Sequence, residues 1–377
     1  MSKMTMRERM LAVVQGSEHD RVPFVQYSGI AAPNEEVWSV IGRENMGLLV
    51  WCGLHRFEHP NCRFESEEIE IDGRKGTRRT LHTPEGSLTE ESLWAAIASS
   101  RSKHFVVEPK DYKILLSYFR DITVHKHTDQ WIAVNKELGD DGLPHTSIGR
   151  SPYQQLWVEW VSLEDLALHM VDCPKLMEEV FATMFEVQRE IFRAVREAVT
   201  ELWRVRLLPV PYVNFGDNIT APMIGETYFR KYCLPSYQEL AELLSSSFGV
   251  QGAKPLPCGR DIRVAVHMDG DLKPLWKAIS ESPVRLLDSL SPPPDNDTSV
   301  ADAVRLWPEM RLCINFPSSI HLAEPKVVYN TTMEILEQGG HTGRLQIQIS
   351  ENIPPGAWRQ SYPQIVKAIR DFGPVKT

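Results

Sequence analysis

From residue 207 onward the chain alternates short apolar runs with helical patterns five times in succession, and this alternation restricts the fold more than any other feature. The runs cover 207–214, 263–267, 285–290, 312–316 and 345–349, and the helical patterns behind them cover 226–248, 273–281, 299–307, 326–338 and 362–372. Apolar runs of this length, each separated from the next by a helix, are strands of a parallel sheet covered on both faces. A sixth unit opens the chain. Thr5 is placed to cap the amphipathic stretch MRERMLAVVQ, Gly16 to end it, and the segment 22–27 reads as a buried strand. The count favours a closed (β/α)8 TIM barrel over an open sheet.

Between residues 30 and 150 the pattern loosens. Helical patches at 35–41 and 109–119 frame a hairpin of strands 63–71 and 78–82, joined through Asp72, Gly73, Arg74, Lys75 and Gly76. No linker composition and no internal repeat marks a boundary. The expectation is therefore one barrel domain over 1–377, with 30–150 as an N-terminal hairpin and helical excursion of non-barrel elements. A long helix is expected from Pro174 to about Glu201.

The 377 residues carry a net charge of −9, which gives no electrostatic reason to expect nucleic acid or an anionic membrane as partner. No apolar run is long enough to span a bilayer and the opening residues show no signal-peptide pattern, so a cytoplasmic protein is expected. Six cysteines (Cys52, Cys62, Cys173, Cys233, Cys258, Cys313) are scattered with no close pair. That spacing argues for reduced, packed thiols, Cys258 among them.

In a barrel the carboxyl ends of the strands share one mouth. Tyr27, Asn214, Asp217, His267, Asp269, Asn315 and Glu351 all fall there. Within VHMDGD, His267 and Asp269 sit two residues apart on an extended segment and so point the same way. An imidazole and a carboxylate that converge can hold a divalent metal, form an acid/base pair, or simply hydrogen-bond a loop. Glu351 is the candidate third ligand. Asp217 reads either as a helix cap or as a substrate contact, Asn315 as a loop tie or a substrate contact, and Tyr27, Tyr153 and Trp157 as wall residues. No hydrolase set of serine, histidine and acid, no phosphate-cradling loop and no dinucleotide fingerprint is present.

Four blocks in order carry a resemblance: MRERMLAVVQGSEHDRVPFVQYSG, NFGDNITAPMIGETYFRKYCLPSYQEL, VHMDGDLKPLWKAI and ISENIPPGAWRQSYPQIVKAI. With these the chain resembles the uroporphyrinogen decarboxylase superfamily over nearly its whole length, and within it the corrinoid-dependent methyltransferase branch. The resemblance implies a TIM barrel. True uroporphyrinogen decarboxylases carry an arginine-rich segment where this chain reads Val25, Gln26, Tyr27, Ser28 and Gly29. The methyltransferase branch holds zinc with a His-x-Cys pair and a later cysteine; here His267 keeps its place, Asp269 replaces the first cysteine, and Glu351 falls on or beside the second.

The resemblance, with carboxylates in place of thiolates, implies a harder Zn2+ site suited to an oxygen-bound methyl group. The expected reaction is transfer of a methyl group from an O-methyl donor, a methoxylated aromatic, to the Co(I) of a corrinoid (cobalamin). No DxHxxG corrinoid motif occurs, so the corrinoid is expected on a partner protein. Asn214, Asp217 and Asn315 would orient ring substituents, and Tyr27, Tyr153 and Trp157 would wall the ring. The alternatives are a metal-assisted decarboxylase or lyase acting on a small carboxylic acid, with Asp217 and His267 as acid and base, or a catalytically silent barrel that binds a ligand. A homodimer is one assembly open to the chain, which the sequence does not decide.

Overall fold

The computed structural model describes residues 4–95, 99–204, 210–245 and 262–375. Its strands, in chain order, are β1 (Phe24–Tyr27), β2 (Gly47–Cys52), β3 (His55–Glu58), β4 (Arg63–Ile71), β5 (Arg74–Thr83), β6 (Gly86–Trp94), β7 (Ser99–Lys103), β8 (Thr123–Lys126), β9 (Gly142–Thr146), β10 (Tyr212–Phe215), β11 (Arg263–Val266), β12 (Leu286–Leu290), β13 (Arg311–Asn315) and β14 (Leu345–Ile349). The residues group into two compact units. One holds 1–54, 128–149 and 199–377; the other holds 55–127 and 150–198.

The first unit is the barrel. Eight strands pair in parallel in the order β10, β11, β12, β13, β14, β1, β2, β9. The ring closes where the segment just beyond β9 meets the end of β10: Ser147 bridges Asn214, Ile148 N–H donates to the Asn214 carbonyl at 3.1 Å, and Gly216 N–H donates to the Gly149 carbonyl at 2.9 Å. Two groups of inward side chains fill the interior: Val25, Tyr27, Leu49 and Leu143 with Met10, and Tyr212, Ala265, Leu286 and Cys313 with Val14. Met10 and Val14 belong to the opening helix Met6–Gln15, which thus packs its apolar stripe on strand side chains. Each fully buried aliphatic or aromatic side chain of this kind contributes roughly 1.5–3 kcal/mol.

That helix is set as its sequence requires. Thr5 accepts from Glu8 N–H while Glu8 answers the Thr5 N–H, and Gly16 takes the left-handed conformation (φ 76°) that ends it. Its Arg9 is buried and bonded twice to Asp20, at 2.6 and 2.8 Å.

Two strands correct the expectation of an excursion running from 30 to 150. β2 and β9 both belong to the barrel. β9 reads GLPHT, with a glycine and a proline where strand propensity wants branched residues, and only its place beside β2 makes it a strand. The glycine is needed there: a Cβ at Gly142 would stand 2.0 Å from the Leu48 carbonyl oxygen. The expected helix over 226–248 is two helices, Ala221–Tyr228 and Leu234–Leu244, separated by the π-turn Phe229–Cys233. Residues 246–248 of that expectation, 207–209 of the strand before it, and Cys258 lie outside the described residues.

The second unit holds an antiparallel sheet in the order β4, β5, β6, β7 and a two-stranded ribbon of β3 with β8. The β4–β5 hairpin turns on Asp72 and Gly73 alone, both at positive φ, so residues 74–76 extend β5 rather than the turn. Phe64, Phe105, Tyr118 and Trp160 pack as an aromatic cluster, and the buried Glu90 carboxylate lies 3.4 Å from Arg79 and 2.7 Å from Arg101. No described helix is long and apolar enough to cross a membrane.

Candidate functional site

His267 follows β11 directly, and backbone bonds hold its loop on both sides. His267 N–H donates to the Phe215 carbonyl, Ile219 N–H to the His267 carbonyl, Gly270 N–H to the Ile219 carbonyl, and Ala221 N–H to the Asp271 carbonyl. Gly270 is the point of closest approach, since a Cβ there would stand 2.1 Å from Thr220 Cβ and 2.8 Å from its Cα. Gly270→Ala is therefore expected to destabilise the protein by about 1–3 kcal/mol in urea unfolding, and to displace the loop that carries Asp269.

The side chains meet as the spacing predicts. His267 Nε2 lies 3.2 Å from Asp269 Oδ2, with the two side chains 10% and 21% exposed, so the pair is sheltered yet within reach of solvent. His267 Nδ1 faces inward to one peptide group, 2.7 Å from the Asp288 carbonyl and 2.9 Å from the Ser289 N–H. Burial pulls the imidazolium pKa down, but the charge and hydrogen bond of Asp269, joined by the Asp288 carbonyl, outweigh it and raise it to about 9. The Asp269 carbonyl is itself tied by Asn296 Nδ2 at 2.6 Å.

Glu351 does not join the pair. Its carboxylate accepts from Ser318 Oγ at 2.8 Å and Ser291 Oγ at 3.4 Å. Burial raises its pKa; Ser318 counteracts this, and the charge of Asp269 adds to the rise while that of His267 lowers it. Glu351 thus feels both residues without being gathered to them. Among the described residues no three histidine, cysteine, aspartate or glutamate side chains are grouped to hold a metal. The three-ligand set His267, Asp269 and Glu351 is accordingly not assembled here, because serine hydroxyls from neighbouring strand ends take up the glutamate.

The His267–Asp269 pair alone does fit a divalent ion. Two ligand atoms on a tetrahedral ion with bonds near 2.0–2.1 Å stand about 3.3 Å apart, close to the observed Nε2–Oδ2 separation. An Nδ1 bound to a backbone carbonyl is also the support a metal-ligating imidazole ordinarily has.

Asn315 is spent on structure: its Oδ1 accepts from the Ser350 N–H and hydroxyl, and its Nδ2 donates to Ser291 Oγ. Asp217 is fully buried and accepts a short hydrogen bond from the Tyr237 hydroxyl. Tyr27 lies inside the barrel, its hydroxyl donating to Asp288 Oδ1 at 3.1 Å. Tyr153 and Trp157 belong to the second unit, Tyr153 buried and stacked on Phe181, Trp157 bonded to Gln154. Asn214 is fully buried: its Nδ2 faces His145 Nε2 at 3.3 Å, and its oxygen has no hydrogen-bond partner.

Three residues here were not singled out from the sequence. Asp288 and His145 are fully buried, with His145 Nδ1 3.2 Å from Asp288 Oδ2 and 2.9 Å from the Tyr212 hydroxyl. The signals were an acid inside the apolar run LLDSL and a histidine closing GLPHT. Trp51, next to last in β2, is 42% exposed and stands edge-on to His145 at 4.2 Å and to Tyr27 at 5.1 Å.

No family model and no curated protein matches the chain. Among solved structures the chain is similar to a methyltransferase from Methanosarcina mazei, at 13% identity and a TM-score of 0.54 over 98% of this chain and 99% of that one. A pyruvate kinase from Cryptosporidium parvum aligns over 96% of this chain and 72% of that one at 7% identity, with a TM-score of 0.30, which carries no weight. The first likeness agrees with the parallel α/β barrel.

Proposed function

We propose that this chain is a methyltransferase that moves a methyl group from an O-methyl donor, a methoxylated aromatic, to the Co(I) of a corrinoid carried by a partner protein. The observation that carries the reading is the His267–Asp269 pair at the barrel mouth, its inner nitrogen anchored and its outer nitrogen turned to a carboxylate. The fold shared with the Methanosarcina mazei methyltransferase supports it. In that transfer the methyl group would pass to the corrinoid as the carbon–oxygen bond breaks, and the bond's electron pair would stay on the oxygen, which leaves as a phenolate. That departing charge is what the site must stabilise.

His267 and Asp269 would hold a zinc ion, with Glu351 as third ligand once it leaves Ser318 and Ser291. Bound there, zinc supplies a Lewis acid for the ether oxygen. At the same barrel mouth Trp51 would offer an exposed aromatic face at the end of β2 for the donor's ring. The lyase alternative draws less support, because the Asp217 it needs is buried against Tyr237.

The test mixes purified protein with a reduced free corrinoid and a panel of methoxylated aromatics, following loss of Co(I) absorbance, while elemental analysis measures metal. The expected result is methyl-Co(III) formation with about one zinc per chain, both lost in His267→Ala. Turnover of methylamines alone would replace the donor class; no methyl transfer from any donor would end the reading; carbon dioxide release without corrinoid would install the lyase.

A further inference from the structure

We infer that Asp288 is a positioning residue that decides which ring nitrogen His267 presents to the mouth. The inference deepens the methyl-transfer reading, which gives His267 its chemical weight, but the geometry behind it stands apart from that reading.

The peptide joining Asp288 to Ser289 offers His267 Nδ1 an acceptor at 2.7 Å and a donor at 2.9 Å. Whichever it uses, Nδ1 is consumed inside the barrel and Nε2 is left for Asp269. Turning the ring over would put a carbon against that peptide and leave whichever of its two groups Nδ1 had engaged buried without that partner. The ring is therefore as well oriented as the peptide is fixed.

The carboxylate of the same residue fixes the peptide. Asp288 Oδ1 accepts from Gln348 Nε2 at 2.6 Å and from the Tyr27 hydroxyl at 3.1 Å, and Oδ2 lies 3.2 Å from His145 Nδ1 without hydrogen-bond geometry. Those partners come from β14, β1 and β9, so strands on several sides of the barrel converge on one side chain from β12. Gln346 Nε2 holds Gln348 in turn at 2.8 Å. A residue that merely filled the barrel would need the volume of a carboxyl group but not its acceptors, nor a backbone carbonyl aimed at the mouth histidine.

The test reads the ring nitrogens of His267 by 15N NMR in the full chain labelled at histidine, without metal, donor or corrinoid and at a single pH above the value of about 9 at which the imidazolium gives up its proton, since only the neutral ring has two unlike nitrogens. Absence of the signals in His267→Gln gives the assignment. In the wild type the two nitrogens are expected as a well-separated pair. In Asp288→Ala that separation is lost as the ring exchanges between orientations, and Asp288→Asn, which keeps an acceptor for Gln348 and Tyr27, restores it. Unmoved His267 signals in a folded Asp288→Ala, or no recovery in Asp288→Asn, overturn the inference. Should Asp288→Ala not fold, Gln348→Met removes the shortest of the anchoring bonds and is read the same way: a moved pair supports the role and an unmoved pair overturns it. If no variant, wild type included, transfers methyl groups while the NMR result holds, the proposed reaction fails and the positioning role stands.

Discussion

Asp269→Ala is expected to lower turnover by about 10²–10⁴-fold, the range for loss of a group that works directly with a catalytic imidazole, while leaving the melting temperature within a few degrees of wild type. The small stability cost follows from what remains. His267 is raised to about 9 chiefly because Asp269 outweighs the pull of burial. Without that carboxylate the main pull towards the charged ring is gone while burial still favours the neutral one, so the imidazole gives up its proton more readily and little uncompensated charge is held in the barrel. Nδ1 keeps its contacts with the Asp288 and Ser289 peptide group, and the ring stays in place. Corrinoid methylation and thermal unfolding on the same preparation decide the matter. Unchanged turnover would remove Asp269 from the working site, and a collapse of stability would make it a structural residue.

Asp20→Asn is expected to do the reverse, lowering stability by about 2–3 kcal/mol with little direct effect on the mouth. Its partner Arg9 is 1% exposed and cannot lose its proton. The figure is set below that for a fully buried pair because the Asp20 side chain is 39% exposed and water can replace part of what is lost. The pH dependence has a definite sign. Burial pushes the Asp20 carboxyl up, but the hydrogen bonds and charge of Arg9 more than reverse this and leave it below the ordinary carboxylate value. A depressed carboxylate contributes fully above its unfolded pKa of about 3.9, and the contribution fades as pH falls through the lower folded value. Urea unfolding should show a clear gap between wild type and Asp20→Asn at pH 7 that narrows towards pH 3. A gap that persisted in acid would mean that the variant costs packing rather than charge.

The contrast between these two aspartates shows how far residue types alone could be read. Both stand near a cation, and the patterns DRVP and HMDGD are equally visible in the chain. Which loss destabilises the protein and which disables it depends on the partner each one meets, Arg9 for Asp20 and His267 for Asp269, and those meetings are made by the fold.

The strand ends at Asn214, His267 and Asn315 could be read as a rim because strands with apolar runs announce themselves and the carboxyl ends of parallel strands share one side. β2 and β9 escaped because GLLVWC and GLPHT are short, begin with glycine and, in β9, contain proline; their pairing partners make them strands. Asp288 escaped for a related reason. An acid in the middle of LLDSL looks like an interruption until Gln348, Tyr27 and His145 arrive from three other strands.

The sequence by itself determined the strand–helix order, the opening helix with its caps, and the pairing of His267 with Asp269, since each depends on neighbours a few residues apart. Only the tertiary structure decided that Glu351 rests with serines, that Asn315 and Asp217 are tied into the fold, that Asp288 underlies His267, and that Trp51 takes an exposed place beside His145. Those outcomes turn on competition among hydrogen-bond partners brought together from distant parts of the chain. A carboxylate goes to whichever donors reach it first, and spacing along one strand carries no record of them.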